Sequence, residues 1–355
     1  MPTISPPAKV LVTGANGFIG LWVVHELLAR GYTVHGAVRS EGKAQALAEH
    51  IARKFPEAKE RFKSFTVADI TEPGAFDEAI KGADGVVHTA SPVTSSLDDP
   101  EAYIQPAVQG TIGILKSALR SEVKRVVITA SIAGIASSTI ALPRVYTEAD
   151  WNDAAVKVIE EEGRNAPGQI KYDASKTLAE RAAWGFMTQH DNEARFDLCM
   201  INPSWVFGPL ADDTLPSPAA MSATPLYLYN MLFTTPPPAE RTPKCLNYVD
   251  VRDVTEMLIK ALEVQEAGGQ RIISNSQLVT WDDWLLAAEQ LKLLPGLQKL
   301  DASSAETAPP YPFFANDKAE RIFGLKLRKV PDTLKDVVKD FRARGWLKHL
   351  ERSAA

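Results

Sequence analysis

The chain has 355 residues, 45% of them apolar and 23% charged, so it can bury a large core and has the balance of a globular protein rather than a disordered or fibrous one. Its 39 Lys and Arg against 44 Asp and Glu leave a formal net charge of -5, which removes any global electrostatic reason to bind nucleic acid or an anionic membrane. No apolar run reaches the roughly 18 residues of a membrane span, and the N-terminal residues lack the basic-then-apolar pattern of a targeting signal. The two cysteines, Cys199 and Cys245, suit a reduced, cytoplasmic setting better than a disulfide framework.

In chain order, short apolar runs alternate with helical patterns, the signature of a parallel sheet with crossover helices. Strands are expected at 9–13, 33–39, 65–68, 85–89, 125–130, 197–201 and 270–274. Helices are expected from the first strand to about residue 30, then at 43–54, 172–190, 250–263, 281–293 and 331–346. Near-continuous apolar strands such as Val126-Val127-Ile128 fit a sheet covered on both faces. Residues 209–243, rich in Pro, Thr and Ser around the apolar stretch 226–233, read as a binding lobe or lid.

The string Thr13-Gly14-Ala15-Asn16-Gly17-Phe18-Ile19-Gly20 follows a strand and opens a helix, the context of a dinucleotide site in a Rossmann-type, doubly wound α/β sheet. Gly14 permits the tight turn, Gly17 lets backbone approach a pyrophosphate, and Gly20 lets helix and strand pack closely. The phosphates would sit at the helix N-terminus, where free N–H groups and the dipole favour negative charge. An NAD site usually has an acid ~20 residues beyond the glycines for the ribose 2′-hydroxyl. This chain instead has Arg39 and Lys43, which suit the 2′-phosphate of NADPH. Asp69 and Ile70, after the third strand, could receive the adenine amino group and cover its ring, although an ordinary strand-end Asp is the competing reading. Thr89, Ala90 and Ser91 bring backbone near the middle of the dinucleotide. His88 reads as a satisfied sheet residue, Asp212-Asp213 as a solvated loop, and the six histidines show no ligand-like spacing, so no metal is expected.

Tyr172 and Lys176 stand at i and i+4 of a helix and share one face. Ser131 follows the fifth strand at the sheet edge where open α/β folds bind ligands. Carbonyl reduction needs a hydride donor, a polarised oxygen and a proton for the developing alkoxide. Ser131 would hydrogen-bond the carbonyl oxygen and Tyr172 would act as general acid. Lys176 would lower the phenol pKa from its usual ~10 and hydrogen-bond the nicotinamide ribose.

These residues together make the chain resemble the extended short-chain dehydrogenase/reductase superfamily. Within it the chain resembles the dihydroflavonol-reductase-like branch, in particular fungal NADPH-dependent aldehyde and ketone reductases of the methylglyoxal-reductase type. Gln109-Gly110-Thr111, the run from Asn202 to Pro209 and the run from Tyr248 to Val254 add to the likeness, which extends from Lys9 to about Trp346. The resemblance implies a Rossmann domain of residues 1–203 with about 245–275, and a smaller C-terminal substrate-binding lobe of about 204–244 and 276–355. It places Pro203, Ser204 and Val206 beside the nicotinamide, and lines a pocket with residues near Val93, Ile132-Ala133, Trp205, and Tyr227 or Tyr229. The same aromatic residues could equally form the lobe's own core. The expected partner is a small-molecule carbonyl substrate, with the protein a monomer or a homodimer. A nucleotide-sugar epimerase or dehydratase of the same fold, a non-catalytic NADP-binding sensor, and a flavonoid or cinnamoyl-type reductase are the rival readings.

Overall fold

The computed structural model describes residues 3–91, 98–136, 144–234, 245–294, 297 and 311–352. Its strands are β1 (Lys9–Thr13), β2 (Thr33–Val38), β3 (Phe62–Thr66), β4 (Gly85–His88), β5 (Arg125–Thr129), β6 (Val145–Tyr146), β7 (Asp197–Pro203), β8 (Trp205–Phe207), β9 (Cys245–Asp250), β10 (Arg271–Ser274), β11 (Gln277–Thr280) and β12 (Phe313–Phe314). The helices are α1 (Phe18–Ala29), α2 (Glu41–Lys54), α3 (Glu101–Leu119), α4 (Asp153–Glu162), α5 (Gly168–Gln189), α6 (Ala223–Phe233), α7 (Val251–Glu263), α8 (Trp281–Gln290), α9 (Asp317–Phe323), α10 (Val330–Ala343) and α11 (Lys348–Arg352).

All seven expected strands enter one parallel sheet in the order β10-β7-β5-β4-β1-β2-β3. Helices α1, α2 and α7 cover one face and α3 and α5 the other, which explains why Val10, Leu11 and Val12 of β1 are all fully buried. The strand order reverses between β1 and β4, the switch point at which open α/β sheets bind ligands. One strand is displaced: β3 begins at Phe62, not Phe65, because this edge strand is only half buried and its first residues lack a continuous apolar run. The Phe62 ring lies against Gly36 of β2, where a Cβ would come within 2.9 Å of it.

Helix α3 is not evident in the sequence. It contains Pro106, Gly110 and Gly113, which weaken a helix locally. Packing explains two of them: a Cβ on Gly110 would lie 2.6 Å from Ile70 Cδ1, and one on Gly113 would lie 3.2 Å from the Ile70 carbonyl oxygen.

After Pro203 the chain leaves the main sheet. Strand β8 pairs in parallel with β9, which pairs antiparallel with β11. Helices α6, α8 and α10 close over this small sheet around Phe207, Phe233, Tyr248, Trp284 and Phe341. Strand β9 therefore belongs to the small sheet, while α7, which follows it directly, packs on the large one. The apolar stretch 226–233 forms most of α6; residues 235–243 of the same Pro-rich segment lie outside the described residues.

Candidate active site

The glycine turn connects β1 to α1. Gly14 has φ +65°, a left-handed conformation that favours glycine, and a Cβ there would meet the Ala90 backbone nitrogen at 2.9 Å. Gly20 packs closer still, since its Cβ would stand 2.2 Å from the Gly14 carbonyl oxygen. Thr89 Oγ1 donates to the Thr13 carbonyl at 2.7 Å, and Thr13 Oγ1 accepts from Ala90 N at 3.2 Å, so the ends of β1 and β4 are joined on the two sides of the switch point. His88 Nδ1 meets Thr13 Oγ1 at 2.8 Å. Burial lowers the His88 pKa to about 3, which makes it a neutral sheet residue, as expected.

Helix α1 starts at Gly17 with no side-chain cap and no acid in its first turn. An uncapped N-terminus behind a turn with no room for a Cβ fits a pyrophosphate. Asn16 and Gly17 are exposed there, while Phe18 and Ile19 are half buried against the core. Arg39 and Lys43, exposed at the end of β2 and in the first turn of α2, have no carboxylate partner among the described residues. Nearby Glu41 accepts a bond from Thr66 Oγ1 at 2.8 Å. The Asp69 carboxylate turns into its own loop, accepting from Thr71 N at 2.8 Å and Thr71 Oγ1 at 2.7 Å. These bonds hold its pKa below the ordinary carboxylate value. Ile70, Ala90, Ser91 and Lys176 line one pocket.

Ser131, immediately after β5, is extended (φ -163°), and its Oγ accepts from Ala133 N at 3.1 Å. It also stands beside the Tyr172 phenol, whose pKa it helps to lower. One turn further along α5, Lys176 Nζ donates to Ser91 Oγ at 2.7 Å and lies 5.5 Å from the centre of the Tyr172 ring. The structure thus gathers Ser131, Tyr172, Lys176 and Ser91 at one sheet edge. Burial dominates the electrostatics of the pair. Burial pushes Tyr172 up to about 12, Ser131 partly offsets this, and the charge of Asp173 adds to it. Burial also brings the Lys176 pKa down to about 8, and its ammonium is directed to Ser91.

Asp173 was not anticipated. It is 4% exposed, accepts from Gln169 Nε2 at 2.7 Å, and burial raises its pKa to about 7. Because that value lies above the unfolded one, the group contributes stability in full below about pH 4, and this is lost as pH rises toward 7. Asp173→Asn keeps an acceptor for Gln169 and removes the titration. It should therefore be more stable than wild type at pH 8, by up to about 4 kcal/mol, and melt higher, with the gap closing by about pH 4. Thermal unfolding across that range checks this, and a pH-independent gap would disprove it.

Tyr311 was also missed. Burial pushes it up to about 12, with Cys245, Tyr227 and Asp173 close enough to add to the shift. The residues after it are anchored from two sides: Asn247 Nδ2 donates to the Pro312 carbonyl at 2.7 Å and Asn275 Nδ2 to the Phe314 carbonyl at 3.0 Å. Tyr227 packs on Trp205 with ring centroids 4.9 Å apart. Tyr229 turns the other way, packing on Phe341 and bonding the Trp346 carbonyl at 3.2 Å, so it belongs to the lobe core. Pro203 ends β7, Ser204 N donates to the Ser274 carbonyl at 3.0 Å, and Val206 is buried in β8. Ile132 and Ala133 form the short turn beside Ser131; Val93 lies outside the described residues.

Away from this edge, Asp213 is more than a solvated acid. It pairs with Arg53 at 2.5 Å and lies 3.4 Å from His50, tying the loop after β8 to α2. His50, Asp212 and Asp213 bring possible ligand atoms within 4.8 Å of one another, although the Arg53 guanidinium already holds Asp213. Among the described residues no helix is long and apolar enough to cross a membrane.

A doubly wound sheet with a glycine turn at its switch point defines an α/β protein built to hold a dinucleotide. Residues 10–275 match the NAD dependent epimerase/dehydratase family, and the chain belongs to that family, the extended short-chain dehydrogenases/reductases. It is 34% identical over 347 residues to cinnamoyl-CoA reductase CAD2 of Medicago truncatula, covering 95% of this chain and 96% of that one. It is 32% identical to the NADPH-dependent methylglyoxal reductase GRE2 of Saccharomyces cerevisiae, covering 92% and 96%. Among solved structures, yeast methylglyoxal/isovaleraldehyde reductase Gre2 complexed with NADPH superposes with a TM-score of 0.82 at 29% identity, covering 95% of this chain and 99% of that one.

Proposed function

We propose that the protein is an NADPH-dependent reductase of aldehydes or ketones, acting in the cytoplasm and yielding alcohols. The observation that carries this reading is the Tyr172 phenol, beside Ser131 and one turn before Lys176, at the same sheet edge as the glycine turn. Relatives that reduce cinnamoyl-CoA or methylglyoxal by name support the reaction class, and two buried free thiols, Cys199 and Cys245, agree with a reducing compartment. Bound NADPH supplies the hydride.

The chain's own groups do the rest. The turn from Gly14 to Gly20 with the α1 N-terminus holds the pyrophosphate, and Arg39 with Lys43 meets the 2′-phosphate. Lys176 donates to the ribose. Ser131 donates to the carbonyl oxygen, orienting and polarising it. Tyr172, kept protonated by burial at neutral pH, gives its proton to that oxygen. The aromatic wall of Trp205, Tyr227 and Tyr311 suits an apolar carbonyl substrate.

Initial rates of NADPH oxidation with methylglyoxal, aliphatic aldehydes, ketoesters, aryl ketones and dihydroflavonols, repeated with NADH, test the proposal. Substrate-dependent oxidation, faster with NADPH, is expected. Tight cofactor binding with no oxidation by any carbonyl would favour an epimerase or a sensor. Arg39→Asp should raise the KM for NADPH roughly 10–100-fold, the order expected for a lost charge-assisted bond, while changing that for NADH little. An unaltered NADPH/NADH preference would reduce Arg39 to a surface charge.

A further inference from the structure

Behind Ser131 lies a buried polar network. Glu180, on α5 one turn beyond Lys176, is 3% exposed. Its Oε1 accepts from Arg271 Nε at 2.6 Å and Trp184 Nε1 at 3.4 Å. Its Oε2 accepts from Asn202 Nδ2 at 2.9 Å and Arg271 Nη2 at 3.3 Å. The same Asn202 amide donates to the Ser131 carbonyl at 3.2 Å. Arg271 is itself held, donating to the Glu148 and Asp150 carbonyls at 2.6 and 2.9 Å and stacking 3.7 Å over Trp151.

From this geometry we infer that Glu180 and Asn202 are positioning residues for Ser131, clamping the turn after β5 onto the helix that carries Tyr172 and Lys176. The inference rests on the reading of Ser131 as the hydroxyl that orients the carbonyl. A buried ion pair is weak evidence of stabilisation, because desolvation offsets the attraction. This one joins α5, β7, β10 and the Ser131 turn in a single arrangement. The amide orientation is determined as well. Asn202 Oδ1 is buried without a hydrogen-bond partner, and a flipped amide would point that oxygen at the Glu180 carboxylate and the Ser131 carbonyl. The turn rests against α5, since a Cβ on Gly134 would be in ordinary contact with Glu180 Oε2 at 3.5 Å. From the other side Asn152 Nδ2 donates to the Ala133 and Ala136 carbonyls at 2.8 and 3.0 Å. Glu180 touches no reacting atom and acts through Asn202.

The test is a double-mutant cycle with Ser131→Ala, using NADPH and the carbonyl reduced fastest in the panel above. Glu180→Gln keeps the shape but presents an NH2 to groups that are all donors. Asn202→Ala removes the bridge and leaves the Glu180–Arg271 pair in place, so it decides the question if Glu180→Gln does not fold. Either change should lower kcat roughly tenfold or more in wild type, leave the NADPH dissociation constant unchanged, and add little in the Ser131→Ala background. Hydrogen exchange of residues 131–136, measured without cofactor, should quicken in both variants. Equal losses in the two backgrounds, or unchanged exchange at 131–136, would overturn the inference. Ser131→Ala at wild-type rates would instead overturn the underlying assignment of Ser131.

Discussion

Replacing Tyr172 by Phe should lower kcat about 10²–10⁴-fold, the range for loss of a positioned general acid, while the NADPH dissociation constant changes less than about twofold. Phe keeps the ring, its half-buried packing and its place 5.5 Å from Lys176 Nζ. It removes the hydroxyl and with it the interaction with Ser131. Nothing else in the arrangement requires the phenol, so the loss should fall on turnover and not on cofactor binding. Steady-state rates and a cofactor-fluorescence titration on the same preparation separate the two. Wild-type turnover in the Phe variant would mean that another group delivers the proton.

Gly20→Ala should weaken NADPH binding by roughly two orders of magnitude and lower the melting temperature, consistent with an overpacking cost of about 1–3 kcal/mol. The added methyl would stand 2.2 Å from the Gly14 carbonyl oxygen and 2.9 Å from Thr89 Oγ1. The first contact is with backbone, so no side-chain rotation relieves it. Helix α1 must move off the turn, and its free N–H groups then no longer converge on the pyrophosphate. Gly185→Ala is the control. It lies on the exposed face of α5 with nothing within 4 Å of the added carbon, and it should stabilise the fold by roughly 0.5–1 kcal/mol with cofactor affinity intact. Equal affinities in the two variants would show that the close approach at Gly20 does not shape the cofactor site.

Local sequence determined the seven strands of the large sheet, the glycine turn after β1 and the shared face of Tyr172 and Lys176. Each of these is written in neighbouring residues: a run of Val and Ile, a glycine spacing, or a four-residue interval on a helix. Helix α3 escaped because Pro106, Gly110 and Gly113 oppose helix formation locally, and the reason for two of them is Ile70, about 40 residues away in the chain. Tyr311 was equally silent, since its neighbours Asp173, Tyr227 and Cys245 come from three other elements.

Tertiary structure alone decided which polar groups support the site. Glu180 had a local signal, standing one turn beyond Lys176, but its partners Asn202 and Arg271 lie 22 and 91 residues away. The protonation states also depend on the fold. Burial raises the Tyr172 phenol to about 12 and lowers the Lys176 ammonium to about 8, shifts that no local pattern encodes. Periodicity and spacing are short-range properties that one stretch of chain can carry. Desolvation and long-range hydrogen bonding exist only once distant segments have packed together.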